Sequence, residues 1–373
     1  MTEYTSAVVR FGTDVPAEKI SDVESKCCLE FGVITGVAPI LTIGIPVYNG
    51  GNSIVRTLSS VYESLEDLGD PGKVEVIVCD NASSDGTGDA ICDFFSIRVA
   101  RGAYYRHGLN VGFDSNLDSI MRLGKGSYVW FVGCGDEIKK DSVARLLGKL
   151  EGKKICNVLL DFDRYGEADG SIIQDREHGS KRDVLVKSRD DFSVPRYAPA
   201  LSANVVNRLK WLDCLRYGFV SSGWGHVERI LRVVGADSAS ETAILVQPFF
   251  TLFVDKSGWW TKPDGYKLHL EHIKIIRRMQ EFGFGPNAVQ TRLRELNGVV
   301  LIRSVIGAKK YGHVFDWGGL EEIRVCCSPV VFMIIRIGLK LPLRLASFLF
   351  SESQGKAIRL GSRKIYKRIF GDS

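Results

Sequence analysis

The sequence lacks the glycine signatures of the commonest nucleotide-binding folds. Neither G-x-G-x-x-G nor G-x-x-x-x-G-K-[ST] occurs in its 373 residues, which argues against a dinucleotide-binding or P-loop protein. The absence of a "GxGTRL"-like start likewise counts against a sugar nucleotidyltransferase. No tract is polar or repetitive enough to predict disorder, and no internal repeat is evident.

None of the nine cysteines is part of a C-x-x-C pair, although Cys27 and Cys28 are adjacent, as are Cys326 and Cys327. The N-terminus has no basic start followed by a long apolar stretch, so we expect no secretory signal. We therefore expect reduced thiols that act as small apolar residues rather than a disulfide framework or a zinc site.

Excess basic charge is scarce outside the C-terminal end. The net charge is +5, yet residues 320–373 carry ten Lys and Arg against four Asp and Glu, which leaves the first 319 residues close to neutral. This distribution argues against a nucleic-acid-binding domain. It favours contact between the basic C-terminal end of the molecule and an anionic surface.

From residue 39, short β-rich runs alternate with helical patterns. The predicted strands of the first half are 39–47, 73–80, 98–108 and 127–133, and its predicted helices are 53–65, 87–95, 112–124 and 141–151. This alternation predicts an α/β fold with a mainly parallel, Rossmann-like sheet and helices on both faces. Ligands of such sheets bind at the carboxyl ends of the strands.

The second half is predicted with strands at 155–166 and 243–255, and helices at 203–218, 224–235 and 267–306. We divide the chain into an acidic extension (1–37), an α/β domain (38–260, with halves 38–150 and 151–260) and a helical C-terminal region (261–373).

Polar and glycine-rich loops follow three of the predicted strands, namely "YNGGN", "DNASSDG" and "GCGDE". Asp80 ends the second strand, where its carboxylate could accept hydrogen bonds from a nucleobase imide or from ribose hydroxyls. Ser83 and Asp85 could instead close an Asx-turn and cap the next helix, and both interpretations stay open. Tyr48 offers an aromatic face and Asn49 offers polar contacts.

A fourth loop, "GLNVGFDSN", places Asn110 and Gly112 before a predicted helix. A phosphate or a sugar could bind at that helix N-terminus. First-turn roles for Asp114 and Ser115 would explain the same residues equally well.

Taken in order, these segments resemble the family 2 inverting glycosyltransferases of the GT-A fold. The matching stretches are "IGIPVYNGGNSIVRTLSSV", "EVIVCDNASSDGT", "NVGFDSN" and "GSYVWFVGCGDEI", which together cover about residues 40–150. The resemblance implies that 38–150 is the nucleotide-sugar half and 151–260 the acceptor half. It implies nucleoside contacts from Pro46, Tyr48, Asp80 and Asn81. We expect Asn49, Ser83, Asn110 and Gly112 to complete the donor site.

The resemblance also implies that the turn after Phe131 is the place of the family's acidic metal-binding motif. Here the turn reads Gly133, Cys134, Gly135 and Asp136, so Asp136 is the sole expected ligand of a divalent cation, Mg²⁺ or Mn²⁺. One carboxylate can hold such a cation if water and substrate phosphate complete its coordination. The alternative role of Asp136 is to cap a helix that starts near residue 139.

Inversion needs a base that deprotonates the acceptor hydroxyl. In the family this base is typically an Asp six residues before an Arg, and the position six before Arg232 is His226. Glu228 is the rival, and two residues on one helix differ by about 200°, so the two cannot face one pocket. Trp224 could stack against a sugar or belong to the core.

The segment 329–350 is long and apolar, but Arg336, Lys340 and Arg344 form a basic stripe and Pro342 interrupts it. We expect an amphipathic helix in the plane of a membrane, with residues 329–368 on the surface, rather than a spanning or a plain packing helix.

The sequence thus predicts a glycosyltransferase peripheral to the cytoplasmic face of the inner membrane. Its acceptor would be a saccharide, polyprenyl-diphosphate-linked, in surface-polysaccharide or O-antigen lipopolysaccharide assembly. A non-catalytic nucleotide-sugar-binding protein is the alternative.

Overall fold

The structure is a computed structural model. It describes residues 8–9, 25–31, 38–97, 102–166, 172–174, 183–186, 200–217, 223–236, 241–254, 265–296, 299–310 and 312–342. These residues fall into two compact units, one within Met1–Val254 and one within Asp255–Ser373.

The first unit is built on a single sheet. Its strands are β1 (Val8–Val9), β2 (Ser25–Phe31), β3 (Leu41–Val47), β4 (Val74–Asp80), β5 (Gly102–His107), β6 (Tyr128–Phe131), β7 (Glu137–Ile138), β8 (Ile155–Gly166), β9 (Ile172–Gln174), β10 (Val184–Val186), β11 (Asn204–Asn207) and β12 (Glu241–Val254). The strand order is β1-β2-β5-β4-β3-β6-β11-β8-β12-β10, with β7 beside β12 and β9 beside β8. The strands of the extension, β1 and β2, thus continue the sheet at its β5 edge.

The central strands β5, β4, β3 and β6 are mutually parallel. Every residue of β3 and β4 is buried, as expected for strands that are covered on both faces. Beyond β6 the pairings are antiparallel to β11 and from β11 to β8, while β8 and β12 are again parallel. The predicted α/β architecture is confirmed.

Six helices cover this sheet in the described part of the first unit. They are α1 (Ser53–Leu65), α2 (Thr87–Ile97), α3 (Phe113–Leu123), α4 (Ser142–Leu150), α5 (Arg208–Cys214) and α6 (Gly225–Gly235). The connections β3–α1–β4 and β4–α2–β5 move along the sheet one way, and β5–α3–β6 moves back. Right-handed crossovers therefore put α1 and α2 on one face and α3 on the other. Helix α4 packs with α1, whereas α5 and α6 pack with α3.

One helix prediction is wrong at its start. The segment 203–218 was expected to be helical throughout, but Asn204–Asn207 is strand β11, which is hydrogen-bonded between β6 and β8. Pairing on both sides overrides the local helical pattern. The helix begins only at Arg208, where the Asn207 side chain caps it by accepting from the Lys210 N–H.

The second unit is helical in its described residues. It contains α7 (Gly265–Arg277), α8 (Pro286–Leu296), α9 (Val299–Lys310), α10 (Trp317–Cys326) and α11 (Pro329–Lys340). The predicted helix 267–306 is interrupted at Gly283, whose φ of 98° lies in the left-handed region. Among the described residues, no helix is both long and apolar enough to cross a bilayer.

Seven cysteines in the described part of the chain are free thiols, as expected, and four of them are buried: Cys79, Cys156, Cys214 and Cys326. The side chains of Cys27 and Cys28 lie outside the described residues.

Candidate active site

The parallel register brings the predicted loop residues to one edge of the sheet. Val47 at the end of β3 lies beside Asp80 at the end of β4, and Asp80 lies beside Arg106 of β5. The turn that carries Asp136 follows β6, the other neighbour of β3. The carboxyl ends of the four strands therefore open onto a common rim, as in other open α/β sheets.

The loop after β3 is hydrogen-bonded to the loop after β4. The Asn49 N–H donates to Ser83 Oγ at 2.8 Å, and the N–H groups of Gly50 and Gly51 donate to Thr87 Oγ1 at 2.9 and 3.0 Å. Asn49 has a φ of 50°, which Asn tolerates better than most residues. Part of the hydrogen-bonding capacity of the polar residues in both loops is thus used to hold the two loops together.

Asp80 is fully buried and lies inside the loop that it begins. Its Oδ1 accepts from the Ser83 N–H at 2.8 Å, and its Oδ2 accepts from the Tyr104 hydroxyl at 2.9 Å. Arg106 Nε lies 3.8 Å from Oδ2. In this structure Asp80 closes the turn itself, and its contact with a nucleoside stays a prediction.

Asp85 bonds to the start of α2, as one of the two open interpretations had it. Its Oδ1 accepts from both the N–H and the hydroxyl of Thr87, at 3.2 and 2.5 Å. The Thr87 hydroxyl is the main cause that lowers the pKa of Asp85.

The loop after β5 is held by Asn81. Asn81 Nδ2 donates to Asn110 Oδ1 at 2.9 Å, and the Val111 N–H donates to Asn81 Oδ1 at 2.8 Å. The Gly112 N–H donates to the same oxygen of Asn110. Gly112 precedes α3 with a φ of 86°, which favours glycine at this position.

Pro46 and Tyr48 lie differently from each other. Pro46 is buried within β3, in register with Cys79 of β4. Tyr48 is 52% exposed just past the strand end. Its ring is therefore available to stack against a planar group at the rim.

Asp136 is 7% exposed in the turn after β6. Ser202 Oγ donates to its Oδ2 at 2.5 Å and accepts from the Gly133 N–H at 2.8 Å. The Phe253 N–H also donates to the carboxyl group. Burial nevertheless dominates and raises the pKa of Asp136 to about 7. The Asp136 side chain does not cap α4, which begins six residues later at Ser142.

Helix α1 supports this turn. Thr57 Oγ1 accepts from the Gly135 N–H and donates to the Asp136 carbonyl, both at 2.9 Å. Arg56 Nη2 donates to the Gly135 carbonyl at 2.9 Å, and Arg56 Nε lies 3.3 Å from Glu137 Oε1. The Glu137 carboxylate is thus held by Arg56, while Asp136 lies inside the turn.

The donor set at the turn fits only a weakly chelated cation. No group of three His, Cys, Asp or Glu side chains within the described ranges could hold a metal. Burial raises the pKa of Cys134 to about 12, so its sulfur is a neutral thiol at pH 7 and a poor ligand for Mg²⁺. Asp136 is the carboxylate that lies inside the turn, and water and phosphate would have to supply the other ligands.

The two predicted bases occupy different environments on α6. His226 is 3% exposed, its ring stacks on Trp224 with centroids 5.7 Å apart, and the Phe113 ring meets it edge-on at 5.8 Å. Trp224 is itself buried. Glu228 Oε1 accepts from Arg232 Nη2 at 2.7 Å and from Arg232 Nε at 3.0 Å. Glu228 is therefore engaged in a buried ion pair.

Two residues organise the site although the sequence analysis did not assign them to it. Ser202 is one of them, and no local motif links it to Asp136. The other is Asp114, whose two carboxylate oxygens accept from the Gly225 N–H at 2.9 Å and the Gly223 N–H at 3.1 Å. Asp114 thus ties the start of α3, beside the Asn81 loop, to the start of the His226 helix.

Comparison with known proteins agrees with this geometry. Residues 42–204 match the sequence profile described as glycosyl transferase family 2. The chain is 30% identical over 114 residues to the abequosyltransferase RfbV of Salmonella typhimurium strain LT2. That alignment covers 31% of this chain, and the chain spans about a third of the relative's length (33%).

Two solved structures that are similar to this chain have TM-scores of 0.52. One is TarS 1–349 of S. aureus, at 12% identity over 86% of this chain and 91% of that chain. It has also been solved in complex with UDP-GlcNAc. Another is the mannosyltransferase PcManGT of Pyrobaculum calidifontis in complex with GDP-Man and Mn²⁺, at 16% identity over 90% and 88% of the two chains. Residues 42–204 are thus similar to glycosyl transferase family 2 domains, and the fold is of the GT-A type.

Proposed function

We propose that this protein is a glycosyltransferase that moves a sugar from a nucleotide-sugar donor, with inversion, to a saccharide acceptor. One observation carries the proposal: the loop after β3 meets the loop after β4 and the turn after β6. Asn49 bonds to Ser83 of the β4 loop, and Cys134 Sγ lies 2.7 Å from the position of a Cβ on Gly50. This junction brings the expected nucleoside side of the site against the turn of Asp136.

The rim residues have separable roles in donor binding. The exposed Tyr48 ring stacks on the nucleobase, and the Asn81 and Asn110 amides fix the loop before α3, whose N-terminus favours negative charge. Asp136 would hold a divalent cation, Mg²⁺ or Mn²⁺, whose other ligands would be water and the donor diphosphate. When bound, this cation would offset the charge that develops on the leaving group.

His226 is our proposed base. Imidazole is suited to accept a proton near neutral pH, and Asp114 fixes the start of the helix that carries it. Glu228 is less suited because Arg232 already occupies one of its carboxylate oxygens with two hydrogen bonds. Displacement of the donor diphosphate by the deprotonated acceptor hydroxyl, from the opposite face, would invert the anomeric centre.

The acceptor belongs to surface-polysaccharide or O-antigen assembly in this proposal and is lipid-linked at the cytoplasmic face of the membrane. Similarity to an abequosyltransferase supports a saccharide acceptor of this class. The mixed apolar and basic surface of α11, described below, supports a position at a membrane.

The test is a calorimetric screen of UDP-, GDP-, CDP- and dTDP-sugars against the full chain, with and without Mg²⁺ or Mn²⁺, followed by nucleotide-release assays. We expect one donor class to bind, Asp136→Ala to weaken metal-dependent binding, and His226→Ala to abolish transfer while donor binding persists. Unchanged donor and metal binding by Asp136→Ala would refute the role of Asp136.

A non-catalytic nucleotide-sugar-binding protein is the second candidate. Glycines at positions 133 and 135, where the family resemblance implies carboxylates, favour it. It predicts that a pure protein binds its sugar nucleotide yet releases no nucleotide with any metal or acceptor, whereas the enzyme hydrolyses the donor slowly even without acceptor.

A further inference from the structure

An open groove of about 420 Å³ lies between α10 and α11 of the second unit. Apolar side chains and cations share its lining. The residues that matter here are Phe332, Met333 and Ile337 on the apolar side and Arg324, Arg336 and Lys340 on the charged side.

The apolar residues of α11 form an exposed stripe. Val330, Met333 and Ile337 are 62%, 56% and 53% exposed, and at about 100° per residue they lie within roughly 60° of each other. Arg336 and Lys340 border this stripe on one side, within roughly a further 60°. An apolar stripe that is bordered by cations is the pattern of helices that lie in a membrane interface.

The two cations on α11 are available to an anion. Arg324 is held by Glu321 of its own helix. In the described part of the chain, Arg336 and Lys340 have neither a hydrogen bond from their side chains nor an ion pair. Residues 343–373, outside the described part, continue the charge with seven Lys and Arg against two Asp and Glu.

We propose that the α10–α11 groove binds the phosphate headgroup of an anionic membrane lipid. Arg336 and Lys340 contact the phosphate, and the acyl chains lie against Val330, Met333 and Ile337. Helix α11 has 12 residues, which span about 18 Å against the roughly 30 Å of a bilayer core, so it lies along the surface. The inference deepens the proposed membrane-side function and rests on it for its biological purpose.

Vesicle co-sedimentation of the full chain tests the groove. We compare phosphatidylcholine vesicles with vesicles that contain about 30 mol% phosphatidylglycerol, a range in which each basic residue near the surface strengthens binding several-fold. We expect the native chain to prefer the anionic vesicles. The double variant Arg336→Glu and Lys340→Glu should weaken this binding at least about tenfold.

The matched control is Lys140→Glu with Lys153→Glu, which changes the net charge equally at two exposed lysines of the first unit. It should bind anionic vesicles as the native chain does. Met333→Ser with Ile337→Ser should also lose binding, because the acyl contact is removed.

Three outcomes would overturn the groove as a lipid site. They are equal binding by the groove-charge variant and the native chain, equal loss in the matched control, or no preference of the native chain for anionic vesicles. Release of bound protein by millimolar inorganic phosphate would assign the site to free phosphate instead. Donor binding, measured by calorimetry, should be unchanged in every groove variant. A failure of the proposed glycosyltransferase function can therefore be distinguished from a failure of lipid binding in the groove.

Discussion

Ser202 Oγ donates a 2.5 Å hydrogen bond to Oδ2 of Asp136 and accepts a 2.8 Å hydrogen bond from the Gly133 N–H. The hydroxyl therefore bridges both ends of the turn after β6. A Cβ at position 133 would come within 3.0 Å of Asp136 Oδ2 and 3.4 Å of Ser202 Oγ. Glycine at this position thus leaves room for the bridge.

Removing this bridge should cost stability. Ser202 is 1% exposed, so Ser202→Ala leaves a buried N–H and a carboxyl oxygen each short of a partner. We expect the free energy of unfolding to fall by about 1–3 kcal/mol in urea denaturation. Ser96→Ala, which removes an exposed hydroxyl bonded within its own helix, should change it little. Equal effects in the two variants would contradict a special role for Ser202.

Asp136 should make stability depend on pH. Burial raises its pKa to about 7 in the folded state, against about 3.9 in the unfolded chain. The folded state therefore binds the proton more tightly, and this contribution is fully present below about pH 4 and lost as pH rises through 7.

Asp136→Asn should remove this loss of stability with rising pH, because an amide does not titrate. Its free energy of unfolding, relative to the native chain, should rise by roughly 2 kcal/mol between pH 5 and pH 8, measured with chelator present so that no metal binds. Asp141→Asn, at an exposed carboxylate, serves as the control and should leave the difference flat. Parallel curves for the native chain and Asp136→Asn would show that Asp136 does not titrate near neutrality.

The strands and helices were predictable where periodicity and burial coincide. Helix α1 and strand β8 have the predicted bounds, because α1 has one apolar face and β8 is an apolar-rich run that ends at Gly166. Strand β11 was missed because "NVVN" is short and lacks alternation, and only its two neighbours make it a strand. The role of Ser202 could not be predicted either, because its partner Asp136 lies 66 positions away and only the fold brings the two together.

Asp114 should control turnover rather than donor binding. Its carboxylate holds the N–H groups of Gly223 and Gly225, immediately before His226. Asp114→Asn can accept only through one oxygen and presents an amide to the other N–H, so the start of α6 shifts. We expect kcat to fall about 10²-fold with the donor KM nearly unchanged, since small misplacements of a catalytic group have such effects.

The control for Asp114 is Asp89→Asn, which removes an exposed carboxylate from the first turn of α2. It should keep native kcat. A donor KM that rises with unchanged kcat in Asp114→Asn would place Asp114 in donor binding instead.

Substitutions of Glu228 and His226 should affect different properties, stability for Glu228 and catalysis for His226. Glu228 and Arg232 are both largely buried, with side-chain exposures of 4% and 11%, so Glu228→Gln removes a charge that faces a buried guanidinium. We expect a loss of about 3–5 kcal/mol in the free energy of unfolding. The double variant Glu228→Leu with Arg232→Leu should recover most of it, because no buried charge is then left unpaired.

His226→Gln should do the reverse. Its amide keeps a polar side chain between Trp224 and Phe113 but cannot take a proton, so transfer should fall at least about 10²-fold with a smaller stability change. The pH dependence of the transfer rate distinguishes the two residues, measured at a temperature where both variants are folded. The part of the pH–rate profile in which the rate rises as the base loses its proton should vanish in His226→Gln and persist in Glu228→Gln. If instead this part vanishes only in Glu228→Gln, then Glu228 is the base and Arg232 is the group that tunes it.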